Sequence, residues 1–148
     1  MTAKDIELEE ANWITRGNPQ ALEFLFAWRG YVHGIDDLVD GDRKGAEAML
    51  EVFMMAAFVY TLPFFIENAA ALRQLAVNCT NAYADSVRWE QSAESWQRNF
   101  SDHYRHFGAE MVLAVASICG GYMHMREVSK VLREICWKEH HDAEGKVV

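Results

Sequence analysis

Three aspartates, Asp36, Asp37 and Asp40, stand in an Asp-Asp-x-x-Asp pattern at the end of an otherwise apolar segment. Residues three and four apart share one face of a helix, so Asp36 and Asp37 each stack against Asp40. Carboxylates held that close repel one another unless a cation or protons neutralise them. Oxygen-only clusters suit hard divalent ions such as Mg²⁺ or Mn²⁺, and phosphate often completes the shell. The pattern therefore predicts a metal site that handles a phosphorylated small molecule.

Two other residues of the same helix are candidates for catalytic roles. Arg29 and His33 fall on the arc that carries the aspartates, since a helix turns about 100° per residue. We expect Arg29 to contact phosphate and His33 to carry a proton. A glycine within a helix costs about 1 kcal/mol relative to alanine. Gly30 and Gly34 therefore indicate positions that a ligand or another helix approaches closely. The alternative is a solvated helix end, although the macrodipole disfavours negative charge there.

A second polar stripe lies on a later apolar segment. Asn78, Asn81 and Asp85 are spaced i, i+3, i+7 and share one helix face. Amide and carboxylate oxygens bind Mg²⁺, so Asn81 and Asp85 are candidate metal ligands. Alternatively, the asparagines form interhelical hydrogen bonds and Asp85 pairs with Arg88 or another arginine. We expect the polar faces of the two helices to meet across a common cavity.

A third stripe, His103, His106 and Glu110, has the same spacing. Two histidines and a glutamate on one face could bind a transition metal. They are equally consistent with a solvated face that precedes the apolar run 111–118. The Glu-x-x-His pairs of helical di-iron sites do not occur in the chain.

Composition limits the class of protein. The chain has 148 residues, of which 51% are hydrophobic, and a formal net charge of −8, so we expect one domain, 1–148, and no nucleic-acid partner. Three widely spaced cysteines indicate reduced thiols and a cytoplasmic location. The most apolar run, 52–66, is too short to span a bilayer, so no membrane span is expected.

The hydrophobic periodicity predicts an all-α, single-domain bundle of about six helices with short connections. Asn18-Pro19 is typical of a helix start, and Gly41 of a helix end. Pro63 breaks the apolar run, and Gly120-Gly121 ends the fifth helix. No segment alternates as a strand does. The predicted helices are about 4–15, 19–40, 43–61, 64–91, 93–119 and 122–140.

The segment Tyr31-Val32-His33-Gly34-Ile35-Asp36-Asp37-Leu38-Val39-Asp40 resembles the first aspartate-rich motif of class I isoprenoid synthases. The resemblance implies an all-α bundle in which two helices hold Mg²⁺ and the diphosphate of a prenyl substrate. The second motif of those enzymes would lie around 81–90, where Asn81-x-x-x-Asp85 and Ser86-x-x-x-Glu90 match it in two different registers. The chain is much shorter than those enzymes, so a full prenyl cavity would require a dimer or a reduced fold.

In size and oligomeric habit the chain is also similar to the all-α MazG-like nucleotide pyrophosphohydrolases, which use helical acids and Mg²⁺. One Glu-x-x-Glu pair, Glu7 to Glu10, matches their pattern, and the aspartate cluster would have to supply its partner. A prenyl-type protein should have a deep, aromatic pocket, whereas a nucleotide-type protein should have a polar pocket with stacking. The sequence does not distinguish between them.

A rival hypothesis is a non-catalytic helical binding or assembly protein. Its acidic turn would be solvated, and its exposed aromatic side chains would form a homodimer or partner interface. We expect a homo-oligomer.

Overall fold

The computed structural model describes residues 8–140 and confirms the all-α prediction. No strand occurs within these residues. The α-helices are α1 (Leu8–Thr15), α2 (Pro19–Asp40), α3 (Ala46–Thr61), α4 (Pro63–Glu67), α5 (Ala69–Trp89), α6 (Ser95–Arg105) and α7 (Ala109–His140), and a 3-10 turn (His106–Gly108) connects the last two.

Local sequence signals set both ends of α2, the helix that carries the aspartates. The Asn18 side chain accepts hydrogen bonds from the backbone N–H groups of Gln20 and Ala21, at 3.0 and 3.1 Å, and Pro19 occupies the first position. Gly41 ends the helix with φ 80°, which glycine adopts without steric cost. The aspartates are therefore held in the last turns of a regular helix, as predicted.

Some helix boundaries differ from the prediction. The expected helix 64–91 is divided at Asn68, whose side-chain N–H donates to the Phe64 carbonyl at 2.8 Å and caps α4. The expected helix 93–119 is divided by the 3-10 turn. Gly121, with φ 79°, kinks α7 where a helix end was predicted. The predicted start of the first helix at Lys4 lies outside the described residues.

Aromatic packing around α2 forms the core. Phe24 is fully buried, and its ring centroid lies 5.6 Å from that of Phe64 and 5.9 Å from that of Phe65. Burying one such side chain contributes about 1.5–3 kcal/mol. The Trp28 indole N–H donates to the Gly108 carbonyl at 3.3 Å. These contacts attach α2 to α4 and to the 3-10 turn, and so fix the position of the aspartates relative to α6.

Among the helices of residues 8–140, none has both the length and the apolar composition that a bilayer crossing requires.

Candidate functional site

The end of α2 contacts α5 through one short hydrogen bond. The Tyr83 hydroxyl of α5 donates to a carboxylate oxygen of Asp36 at 2.6 Å, and both side chains are half-buried. Burial and this bond raise the pKa of Tyr83, so the hydroxyl stays protonated and acts as the donor. A charge-assisted bond of this length fixes the orientation of the Asp36 carboxylate.

The end of α6 supplies a cation to the same place. The Arg105 guanidinium lies 3.8 Å from an oxygen of Asp40, and each of its terminal nitrogens lies 3.3 Å from an oxygen of Glu90. It also lies 5.8 Å from the centroid of the Tyr83 ring. Only 14% of the Arg105 side chain is exposed, so its charge is partly shielded from water. We call Asp36, Asp40 and Glu90 the acidic cluster.

The α5–α6 hairpin positions Arg105 against Glu90. The buried Ser101 hydroxyl donates to the Ser86 carbonyl at 2.6 Å. Arg105 lies one helical turn after Ser101, and Glu90 lies one turn after Ser86. The Trp89 ring packs against Trp96 and Tyr104, with centroids 5.7 and 5.9 Å apart, and this packing stabilises the hairpin.

The acidic cluster remains negatively charged overall, because its three carboxylates exceed the single guanidinium. Burial, followed by repulsion from Asp36, raises the pKa of Asp40, although Arg105 opposes the shift. The carboxyl-terminal end of the α2 macrodipole adds negative potential. A ligand that brings positive charge would relieve this repulsion.

A pocket of about 70 Å³ lies beside the acidic cluster. The residues that line it are largely apolar and aromatic. Two of these residues, Tyr83 and Arg105, also contact the acidic cluster. The pocket and the charged groups therefore form one site. An engineered apolar cavity of about 150 Å³ accepts benzene, so this pocket admits a smaller group. The lining residues are Trp28, Tyr31, Val32, Ile35, Cys79, Thr80, Tyr83, Arg105 and Gly108.

The cysteine in the pocket is not an activated nucleophile. Burial raises the pKa of the Cys79 thiol to about 11, and its sulfur donates to the Phe107 carbonyl at 3.4 Å. Nucleophilic cysteines have a lowered pKa and a positive environment. Cys79 therefore serves as part of the pocket wall.

The carboxylates of the acidic cluster do not form a preformed metal site. Residues 8–140 contain no group of three or more His, Cys, Asp or Glu side chains arranged to hold a metal ion. Asp36 and Asp40 nevertheless offer two carboxylates one turn apart. Mg²⁺ commonly binds one or two carboxylates, retains several waters and takes its other ligands from phosphate. Metal binding by Asp36 and Asp40 therefore stays a prediction.

Asn81 and Asp85 lie apart from the acidic cluster in their contacts. Asp85 accepts from Arg88 at 2.8 Å and from the Asn81 amide at 3.3 Å, both on its own helix. Asn81 is exposed. We expected the Asn78/Asn81/Asp85 face of α5 to meet the aspartate face of α2. The structure corrects this expectation, because α5 contacts Asp36 through Tyr83 instead. Metal binding by Asn81 or Asp85 stays a prediction.

The three remaining sequence candidates on α2 do not line the pocket. Arg29, His33 and Asp37 are half-buried and are not among the described pocket residues. Burial, with a further contribution from Arg29, lowers the pKa of His33, so its neutral form is favoured. The neutral imidazole is the form that accepts a proton. Roles for Arg29, His33 and Asp37 stay predictions.

The stripe of His103, His106 and Glu110 does not form a cluster. Glu110 accepts from Arg133 at 2.7 Å, within α7. His103 is exposed, whereas His106 lies 4.0 Å from an oxygen of Asp102. These contacts favour structural roles for the stripe.

Comparison of the chain with protein-family models, curated proteins and solved structures gave no match. The resemblances to class I isoprenoid synthases and to MazG-like pyrophosphohydrolases therefore stay predictions.

Proposed function

We propose that the protein binds a phosphorylated small molecule together with Mg²⁺ at the site formed by α2, α5 and α6. The observation that carries this proposal is that Tyr83 and Arg105 contact the acidic cluster and also form part of the wall of the apolar pocket. A ligand with a charged end and a compact apolar end has a complementary surface for each part.

Each half of the site has a distinct task in this proposal. Asp36, oriented by Tyr83, and Asp40 would hold the ion, whose charge relieves the repulsion between them. Arg105 is the described cation nearest to both the acids and the pocket, so it is the best-placed phosphate contact. Arg29 is a second candidate contact, and His33 is a candidate proton carrier.

The size of the pocket favours a short ligand. A long prenyl chain or a nucleobase exceeds about 70 Å³, so neither enters the pocket without movement of its walls. A phosphate or diphosphate whose apolar part is smaller than a benzene ring is the class that fits best. Tyr31 and Trp28, which line the pocket, would contact that apolar part.

Calorimetric titration tests the proposal. We expect Mn²⁺ with inorganic pyrophosphate to bind the wild type, and Asp36→Asn with Asp40→Asn to weaken binding at least tenfold, or about 1.4 kcal/mol. Glu127→Gln is the matched control, because Glu127 is exposed and pairs with Lys130 on its own helix, α7. A folded double variant that binds as tightly as the wild type would refute the assignment. Parallel titrations with a five-carbon prenyl diphosphate and a nucleoside diphosphate test the ligand class.

A second candidate is a non-catalytic assembly protein, and one observation favours it. The acids already have partners within the chain, since Tyr83 contacts Asp36, Arg105 contacts Asp40, and Arg88 contacts Asp85. A protein of this kind would show no change in its melting midpoint on addition of Mg²⁺ and pyrophosphate. A ligand that binds only the folded state raises the midpoint.

A further inference from the structure

One face of α3 exposes large apolar side chains along its full length. Phe53 is 70% exposed, Met54 is 71% exposed and Leu50 is 64% exposed. We call this surface the α3 face. It consists of Met49, Leu50, Phe53, Met54, Ala57 and Phe58.

The opposite face of α3 is already covered. Ala48 and Val59 are buried, and the Val52 and Met55 side chains pack at Gly34 of α2. The helix is thus apolar on both sides, and the segment 50–61 contains a single charged residue, Glu51, which pairs with Arg43. A helix that is apolar all round is normally buried on all sides. The α3 face therefore lacks its cover within residues 8–140.

The exposed apolar area of the α3 face approaches the area that each partner buries in a stable dimer. A large apolar side chain has an accessible area of roughly 200 Å². From the exposed fractions, the α3 face presents roughly 600–700 Å². The largest apolar patch on a typical monomer is about 300–600 Å², whereas each partner in a standard interface buries about 800 Å². A rim of polar residues around the face supplies the difference.

We propose that two copies of the chain pair through their α3 faces, with the helices antiparallel about a two-fold axis. A two-fold contact joins the same patch on both copies, so an apolar strip such as this one is self-complementary. We place the axis between Met54 and Ala57, where the small Ala57 side chain lets the two backbones approach.

The helix macrodipoles favour the antiparallel arrangement. Each helix carries partial positive charge at its amino-terminal end and partial negative charge at its carboxyl-terminal end. Antiparallel pairing brings opposite charges together, whereas parallel pairing brings like charges together.

Sedimentation equilibrium of the full chain tests the proposal. We expect a dimer at micromolar concentrations and at least a hundredfold weaker association in Phe53→Glu. Val77→Glu is the matched control, because Val77 is an exposed apolar residue of α5, 60% exposed, and its substitution should leave the dimer intact. Circular dichroism verifies that each variant is folded.

Cysteine cross-linking tests the orientation. In the antiparallel dimer, oxidation should join two copies through Ala57→Cys, near the axis, and not through Met49→Cys, far from it. The wild type, with its three native cysteines, gives the background. A wild type that stays monomeric at about 100 µM, or a dimer unaffected by Phe53→Glu, would overturn the proposal. So would a monomer that binds neutral lipid vesicles through this face. Titration of the Phe53→Glu variant with Mn²⁺ and pyrophosphate shows whether the ligand proposal holds when the dimer does not form.

Discussion

The hydrogen bond from Tyr83 to Asp36 joins α5 to α2, and its removal is a direct test of the site's geometry. Tyr83→Phe deletes the hydroxyl and keeps the ring that faces Arg105. A hydrogen bond to a charged group contributes about 1.5–3 kcal/mol, and water can replace part of it because both side chains are half-buried. We therefore expect a loss of about 1–1.5 kcal/mol in the free energy of unfolding, or about 3–5 °C in Tm.

Urea denaturation of a double-mutant cycle measures the contribution of the bond. Tyr83→Phe, Asp36→Asn and the double variant should show a coupling free energy of about 1 kcal/mol. Tyr122→Phe is the control, because the Tyr122 side chain is 65% exposed, and its stability should equal that of the wild type. If the effects of Tyr83→Phe and Asp36→Asn add to within about 0.3 kcal/mol, the two side chains do not interact in solution and our description of the site is wrong.

Three further predictions concern stability. Gly30→Ala should stabilise the protein by about 0.5–1 kcal/mol in chemical denaturation, because an added Cβ meets nothing within 4 Å. Gly34→Ala should lack this gain, because its Cβ would lie 3.1 Å from Val52, and equal gains would contradict the packing of α2 on α3. Arg105→Gln should cost about 0.5–1 kcal/mol at pH 7, because the carboxylates it contacts are partly exposed, and less as the pH falls through the raised pKa of Asp40; a loss independent of pH would exclude an electrostatic cause. Folding lowers the pKa of His33, so the unfolded chain binds the proton more readily than the folded chain does. The wild type should therefore lose stability relative to His33→Gln as the pH falls below 6.5. Parallel pH profiles of the two proteins would contradict the shift.

Features that depend on local sequence could be predicted. The ends of α2 follow from Asn18, Pro19 and Gly41, because each acts on backbone groups within a few residues. The kink at Gly121 also has a local cause, because glycine adopts its φ of 79° without steric cost. The glycine pattern of α2 predicted a close approach, and at Gly34 the approaching group is another helix, α3.

The partners of the aspartates could not be predicted, because they depend on tertiary packing. Arg105 reaches Asp40 only because the α5–α6 hairpin turns at 90–94 and the Ser101–Ser86 contact sets its register. Helical spacing compares residues on one helix and carries no information on which face meets another helix. The second motif offered one signal, since its Ser86-x-x-x-Glu90 register ends at a member of the acidic cluster.

The exposure of the α3 face was also hidden from the sequence. The apolar residues of 46–61 are too evenly distributed around the helix to distinguish a buried side from an exposed one. Only the packing of Val52 and Met55 against α2 determines which side remains uncovered.

The most direct test of the central proposal is the anomalous diffraction of a crystal grown with Mn²⁺ and inorganic pyrophosphate. We predict an anomalous peak within about 2.2 Å of carboxylate oxygens of both Asp36 and Asp40, with pyrophosphate oxygens completing the shell toward Arg105. A peak at Asp85 alone, or no peak at Asp36 and Asp40 at saturating concentrations of both ligands, would contradict the proposal that this site binds a metal-complexed phosphate.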